Sequence, residues 1–95
     1  MPRKRPHRLV WNEIRKRIFL RDGGLCRHCN VPVILEACHV DHIISGKRGS
    51  NRDENLRILC RRCHILRLDH RHRGMIAKGL KDGIIPANYR DLMWE

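Results

Sequence analysis

The sequence predicts a small α+β domain stapled by metal. Three observations predict it. The chain has 95 residues, a length that buries only a modest core and usually needs a staple. Two cysteine pairs, Cys26-x-x-Cys29 and Cys60-x-x-Cys63, can supply one. Between them lies a stretch rich in β-branched residues, Val33 to Ile44, flanked by segments of helical periodicity.

The elements follow in order. Residues 1–10 read as a basic arm, and residues 11–95 as one domain with its core at about residues 25–70. From Trp11 the pattern turns helical: Trp11, Ile14, Ile18 and Phe19 share a face, and Arg15, Lys16, Arg17 and Arg21 lie mostly elsewhere. Gly23-Gly24 supplies the permissive residues of a helix C-terminus. Cys26 to Cys29 is a tight knuckle, and Val33 to Ile44 forms one or two strands. Residues 45–51, Ser-Gly-Lys-Arg-Gly-Ser-Asn, are a loop by composition. Leu56 to Leu59 returns as a short antiparallel strand, and Cys60 to about Asp69 is helical. A helical extension closes the chain, with Met75 to Leu80 as one helix, a break at Gly83 to Pro86, and a terminal helix over Asn88 to Trp94 that packs Leu92 and Trp94.

Two CxxC turns each place two sulfurs on one side of a tight loop, and together they complete a tetrahedron around Zn²⁺. Cys26, Cys29, Cys60 and Cys63 are therefore expected to bind structural zinc and to couple folding to the metal. A redox CxxC needs no second pair. Cys38, the odd fifth cysteine, reads as a small buried residue. The odd count, with no apolar signal segment after Met1, argues against a disulfide framework and for the cytoplasm. No apolar run approaches the roughly eighteen residues of a membrane span.

Lys and Arg number 21 against 10 acids, a formal net charge of +11. Sixteen of the 21 are Arg, whose planar fork suits phosphate. The charge is uneven: Arg3, Lys4, Arg5 and Arg8 form one group, and Arg57, Arg61, Arg62, Arg67, Arg71 and Arg73 another. A nucleic-acid backbone is the expected partner. A membrane surface would want an amphipathic helix with bulky apolar anchors, and none is convincing.

Between the knuckles lie His39-Val40-Asp41-His42 and Asn55, with His64 directly after Cys63. Asp41 and His64 can hold a catalytic Mg²⁺- or Mn²⁺-type ion. His42 can serve as a general base. Neighbours on a strand point to opposite faces, so Asp41 and His42 share a site only where the strand ends or twists.

Taken together, Cys26-x-x-Cys29, Val40-Asp41-His42-Ile43-Ile44, a basic Gly-containing loop, Asn55-Leu56 and Leu59-Cys60-x-x-Cys63-His64 resemble the HNH endonuclease signature over about residues 11–70. The resemblance implies a ββα-metal, treble-clef-like core of the zinc-containing branch. It makes His42 the base that activates water, Asp41 and His64 the ligands of the catalytic ion, and Asn55 the residue that holds the loop and orients the base. It leaves His39, where many relatives carry an acid, open between a group behind the ligands and a phosphate contact. The implied reaction is hydrolysis of DNA phosphodiesters to 5′-phosphate and 3′-hydroxyl ends, with Arg48 or Arg62 clamping phosphate.

Arg3, Lys4, Arg5, Arg48, Arg62 and Arg67 are the expected nucleic-acid contacts. Little chain remains for base readout, so the expected activity is nicking of duplex DNA with low sequence preference, by a monomer or weak dimer of bacterial or phage origin. Two other readings stay in view. A non-catalytic zinc-finger module binding DNA or RNA would keep the cysteines and arginines without needing Asp41, His42 and His64. A subunit of a larger machine, such as phage packaging or restriction, would lend its nuclease activity to it.

Overall fold

The computed structural model describes residues 7–44, 49–68 and 73–95. Helix α1 spans Arg8–Arg21, so it starts inside the stretch expected to be an arm. The reason is local: His7 Nδ1 accepts a hydrogen bond from the Leu9 amide at 3.2 Å, an N-cap supplied by an imidazole. Ile14 and Ile18 are buried, with Trp11 and Phe19 packed beside them, as the periodicity requires. The helix ends at Asp22, and Gly23 and Gly24 both take φ +68°, the left-handed conformation that glycine adopts without strain.

The sheet has two strands. β1 (His39–His42) pairs antiparallel with β2 (Leu56–Leu59), placing His39 opposite Leu59, Asp41 opposite Arg57 and His42 opposite Leu56. The expected strand at 33–44 is thus cut to its second half. Residues 34–38 form a turn instead, with the Ala37 and Cys38 amides donating to the Ile34 carbonyl. The Arg15 guanidinium reaches across from α1 to donate to the Leu35 and Cys38 carbonyls at 2.6 and 2.9 Å. Those carbonyls find their partner in a side chain, and no second strand forms there. A 3₁₀ turn at Asp53–Asn55 leads into β2.

The outer edge of β2 is covered. The Ile58 amide donates to the buried Asp22 carboxylate at 2.9 Å, and the Ile58 carbonyl accepts from the Arg27 amide at 2.9 Å. The C-terminus of α1 and the first knuckle therefore close the edge that a two-stranded sheet would otherwise leave open.

Helix α2 (Arg61–Leu66) is shorter than the expected 60–69 segment. Arg67 turns to an extended conformation and bridges in parallel to Trp94: the Trp94 amide donates to the Leu66 carbonyl and the Leu68 amide to the Trp94 carbonyl. Helix α3 (Arg73–Lys81) packs on α2 through Gly79, where an added Cβ would come within 2.9 Å of Ile65 Cδ1. The last stretch is a 3₁₀ turn, Tyr89–Leu92, in place of the expected helix. Leu92 remains 38% exposed, and Trp94 is the residue that packs inward.

Three clusters make the core: Ile14, Ile18, Cys38, Leu56 and Ile58 between α1 and the sheet; Cys26, Leu59 and Cys63 around the knuckles; Ile65, Leu66 and Ile85 under the C-terminal extension. The result is a small α+β fold in which two strands and α2 form a ββα core beside a cysteine cluster. Among the described residues, no helix is long and apolar enough to cross a membrane.

Candidate metal centre and candidate active site

The two CxxC turns converge. The sulfurs of Cys26, Cys29, Cys60 and Cys63 lie within 4.8 Å of one another, and all four cysteines are free of disulfides. Cys29 Sγ and Cys60 Sγ are 3.9 Å apart, close to the tetrahedral edge of about 3.8 Å that Zn–S bonds of about 2.3 Å produce. Burial pushes the Cys60 and Cys63 thiols up. At Cys26, burial acts the same way, but the backbone amides of Cys29, Cys60 and His28 outweigh it and bring the thiol down to about 7. Those amides point at the sulfur and are set to receive a thiolate, the form that binds metal. Trp94 lies over this centre: its Nε1–H donates to the Cys63 carbonyl at 2.8 Å, and its ring stacks on His28 at 3.8 Å. Soft donors, tetrahedral spacing and burial suit structural zinc.

Asp41 is 2% exposed and heavily engaged. Its Oδ2 accepts from Arg57 Nε and its Oδ1 from Arg67 Nη1, both at 2.8 Å. The same two guanidiniums hold Glu95: Arg57 forks onto it at 2.9 and 3.0 Å, and Arg67 Nε donates at 2.8 Å. Arg57 foremost, then Arg67, holds the Glu95 carboxyl below the usual range against the opposing effect of burial. His64 Nε2 stands 3.5 Å from Asp41 Oδ1.

The assignment of Arg67 as a phosphate contact needs correcting. Arg67 is 8% exposed, and its remaining N–H groups donate to the His42 and Ile43 carbonyls. A buried carboxylate demands a compensating cation, and Arg67 fills that role. Arg57 faces Asp41 because it is the residue opposite it in the sheet register.

His42 ends β1 on the other face. Its ring stacks on Trp11, with centroids 5.9 Å apart and an interplanar angle of 8°. His42 Nε2 lies 2.8 Å from Asn51 Oδ1. An oxygen acceptor there keeps the proton on Nε2 and makes Nδ1 the basic nitrogen. The sequence places Asn51 only in a loop. Nothing in its spacing marks it, because the contact depends on how the loop folds back.

Asn55 does organise that loop. Its Oδ1 accepts from the Ile44 amide at 2.8 Å, and its Nδ2 donates to the Ile44 and Ser50 carbonyls at 3.0 and 2.8 Å. Asp41 and His42 thus sit side by side in sequence but reach different neighbours, as strand alternation dictates.

His39 shares the Asp41 face and meets α2: His39 Nδ1 and His64 Nδ1 are 2.8 Å apart, with the rings at 74°. Both line an open cleft of about 570 Å³ with Arg8, Trp11, Arg15 and Glu36. Of the expected basic contacts, Arg62 is exposed on α2. Arg3, Lys4, Arg5 and Arg48 lie outside the described residues.

Comparison with known proteins agrees with this geometry. The family model described as HNH endonuclease matches residues 26–69. The Zorya protein ZorE of Escherichia coli is 38% identical over 56 residues, which is 57% of this chain and 15% of that protein. The chain thus corresponds to a small part of that relative. No solved structure matches. Residues 26–69 thus match the HNH endonuclease family, and that likeness implies a nuclease or nucleic-acid-binding function.

Proposed function

We propose that the protein is a metal-dependent endonuclease that nicks duplex DNA with little sequence preference, in the cytoplasm of a bacterium or phage-infected cell. One observation carries the reading: within the family-matched stretch, His42 is clamped between Trp11 and Asn51 with its tautomer set. A ring held this way presents Nδ1 as the base that takes a proton from water, while the in-line attack on phosphorus proceeds. Asn55 supports the base from behind by locking Ile44 and Ser50 in place. Arg62 is exposed to meet phosphate, and the arginine excess draws the polyanion in. The products are 5′-phosphate and 3′-hydroxyl ends.

A divalent ion would stabilise charge on the leaving oxygen. Asp41 and His64, its expected ligands, fit Mg²⁺ poorly as they stand. Magnesium needs open oxygen ligands and keeps several waters, whereas both Asp41 oxygens accept from arginine in a site 2% exposed. That same saturation of Asp41 favours the second reading, a zinc-stapled nucleic-acid-binding module without catalysis.

Supercoiled plasmid separates the two. Incubated with the protein and Mg²⁺, Mn²⁺, Co²⁺, Ni²⁺ or Zn²⁺ in turn, it becomes open circle with at least one ion and stays intact with chelator. Intact plasmid with every ion, alongside retained DNA binding, establishes the binding module.

A further inference from the structure

We infer that the second metal site of this chain is an imidazole pair, His39 Nδ1 with His64 Nδ1, and that it takes a borderline transition ion in preference to Mg²⁺. This builds on the nuclease reading in supposing that the cleft holds an ion, and it reassigns the ligands. Three observations carry it. The two Nδ1 atoms are 2.8 Å apart with their rings nearly perpendicular. Two cis donors at about 2.1 Å from one ion are separated by about 3.0 Å, so both nitrogens can turn onto one cation once the proton they share as a hydrogen bond moves to an Nε2 or to water. The pair lines the open cleft, where Glu36 also lies and water can complete the coordination shell. Asp41, by contrast, is 2% exposed and spends both oxygens on Arg57 and Arg67. Pulling it onto an ion would leave buried Arg67 and half-buried Arg57 to share Glu95 as counter-charge, a costly exchange.

Asp41 therefore acts as the ionic pin between β1, β2 and the segment after α2, and the ion sits on the neighbouring histidines. Two neutral imidazoles select for nitrogen-preferring ions in the order Mn²⁺ below Co²⁺ below Ni²⁺, with Zn²⁺ also strong, and offer little to Mg²⁺. The four cysteines form a separate, softer centre.

The test is binding without DNA. Zinc-loaded full-length protein, with its zinc content checked, is titrated with Ni²⁺, Co²⁺ and Mg²⁺ by calorimetry. One further Ni²⁺ or Co²⁺ is expected per chain, with Mg²⁺ weaker by at least about a hundredfold. His39→Asn is expected to weaken Ni²⁺ by at least roughly 10–100-fold, the loss that even an outer partner of a metal site causes. In wild-type protein, substoichiometric Co²⁺ should broaden the His39 and His64 ring resonances ahead of the Asp41 and Arg57 side chains, a readout that needs no variant to fold. The inference is overturned if Mg²⁺ binds as tightly as Ni²⁺, if His39→Asn folds and binds Ni²⁺ unchanged, or if His39 stays sharp while Asp41 broadens. Failure of the nuclease reading looks different: an ion bound at His39 and His64 with plasmid left intact.

Discussion

At the scale of single residues, neighbours in sequence have separate tasks. His42 faces Trp11 and Asn51, whereas Asp41 faces Arg57 and Arg67. The difference shows in what each substitution does. Arg67→Ala removes one of two cations from a buried carboxylate and is expected to cost about 3–5 kcal/mol in denaturant unfolding. Asn51→Ala is expected to leave stability within about 1 kcal/mol, the net worth of one hydrogen bond. It should instead mix the His42 tautomers, visible in the ring nitrogen shifts, and slow nicking. Glu95 gives a pH signature. Its carboxyl is held low by Arg57 and Arg67 in the fold, so the stabilisation it adds is present above the ordinary Glu range, near pH 4.3. It is lost as pH falls through the lowered folded-state value. The melting temperature of wild type should exceed that of Glu95→Gln at neutral pH, and the gap should close on acidification.

At the scale of elements, the sequence showed what lies on one segment and missed what depends on segments meeting. The stripe of Ile14 and Ile18, the return strand Leu56–Leu59 and both knuckles were readable, because periodicity and CxxC spacing are local signals. The start of α1 is not legible in the sequence because its cap is His7, a residue outside the usual capping set. Val33 to Cys38 has strand composition, but Arg15 takes its carbonyls. Charge alone makes Arg67 a phosphate contact, and charge does not reveal that its partner is a buried Asp41 on another element. The α1–sheet contact is the principal apolar joint. Ile18, fully buried in it, is expected to cost about 2–5 kcal/mol when cut to Ala, read by chemical denaturation.

At the scale of the whole molecule, the cysteine cluster stands apart from the proposed catalytic site. The cysteine cluster joins the first knuckle to α2 across about thirty intervening residues, and a domain this size has little other reserve of stability. Cys60→Ser, or prolonged chelation, is expected to unfold the chain by circular dichroism, since zinc binding and folding are one equilibrium. The net charge of +11 acts over the whole surface. DNA affinity should fall linearly with the logarithm of salt concentration as counterions are released. A salt-independent affinity would detach the arginine excess from DNA.

The central claim is that a histidine at the end of β1 performs chemistry on a scaffold held by cysteines elsewhere. It is tested most directly by the rate at which His42→Ala converts supercoiled plasmid to open circle, measured on protein with wild-type zinc content and circular dichroism. The expected rate is lower than wild type by on the order of 10²–10⁴, the usual contribution of a general base. Nicking at the wild-type rate by such folded, zinc-loaded protein would contradict the claim.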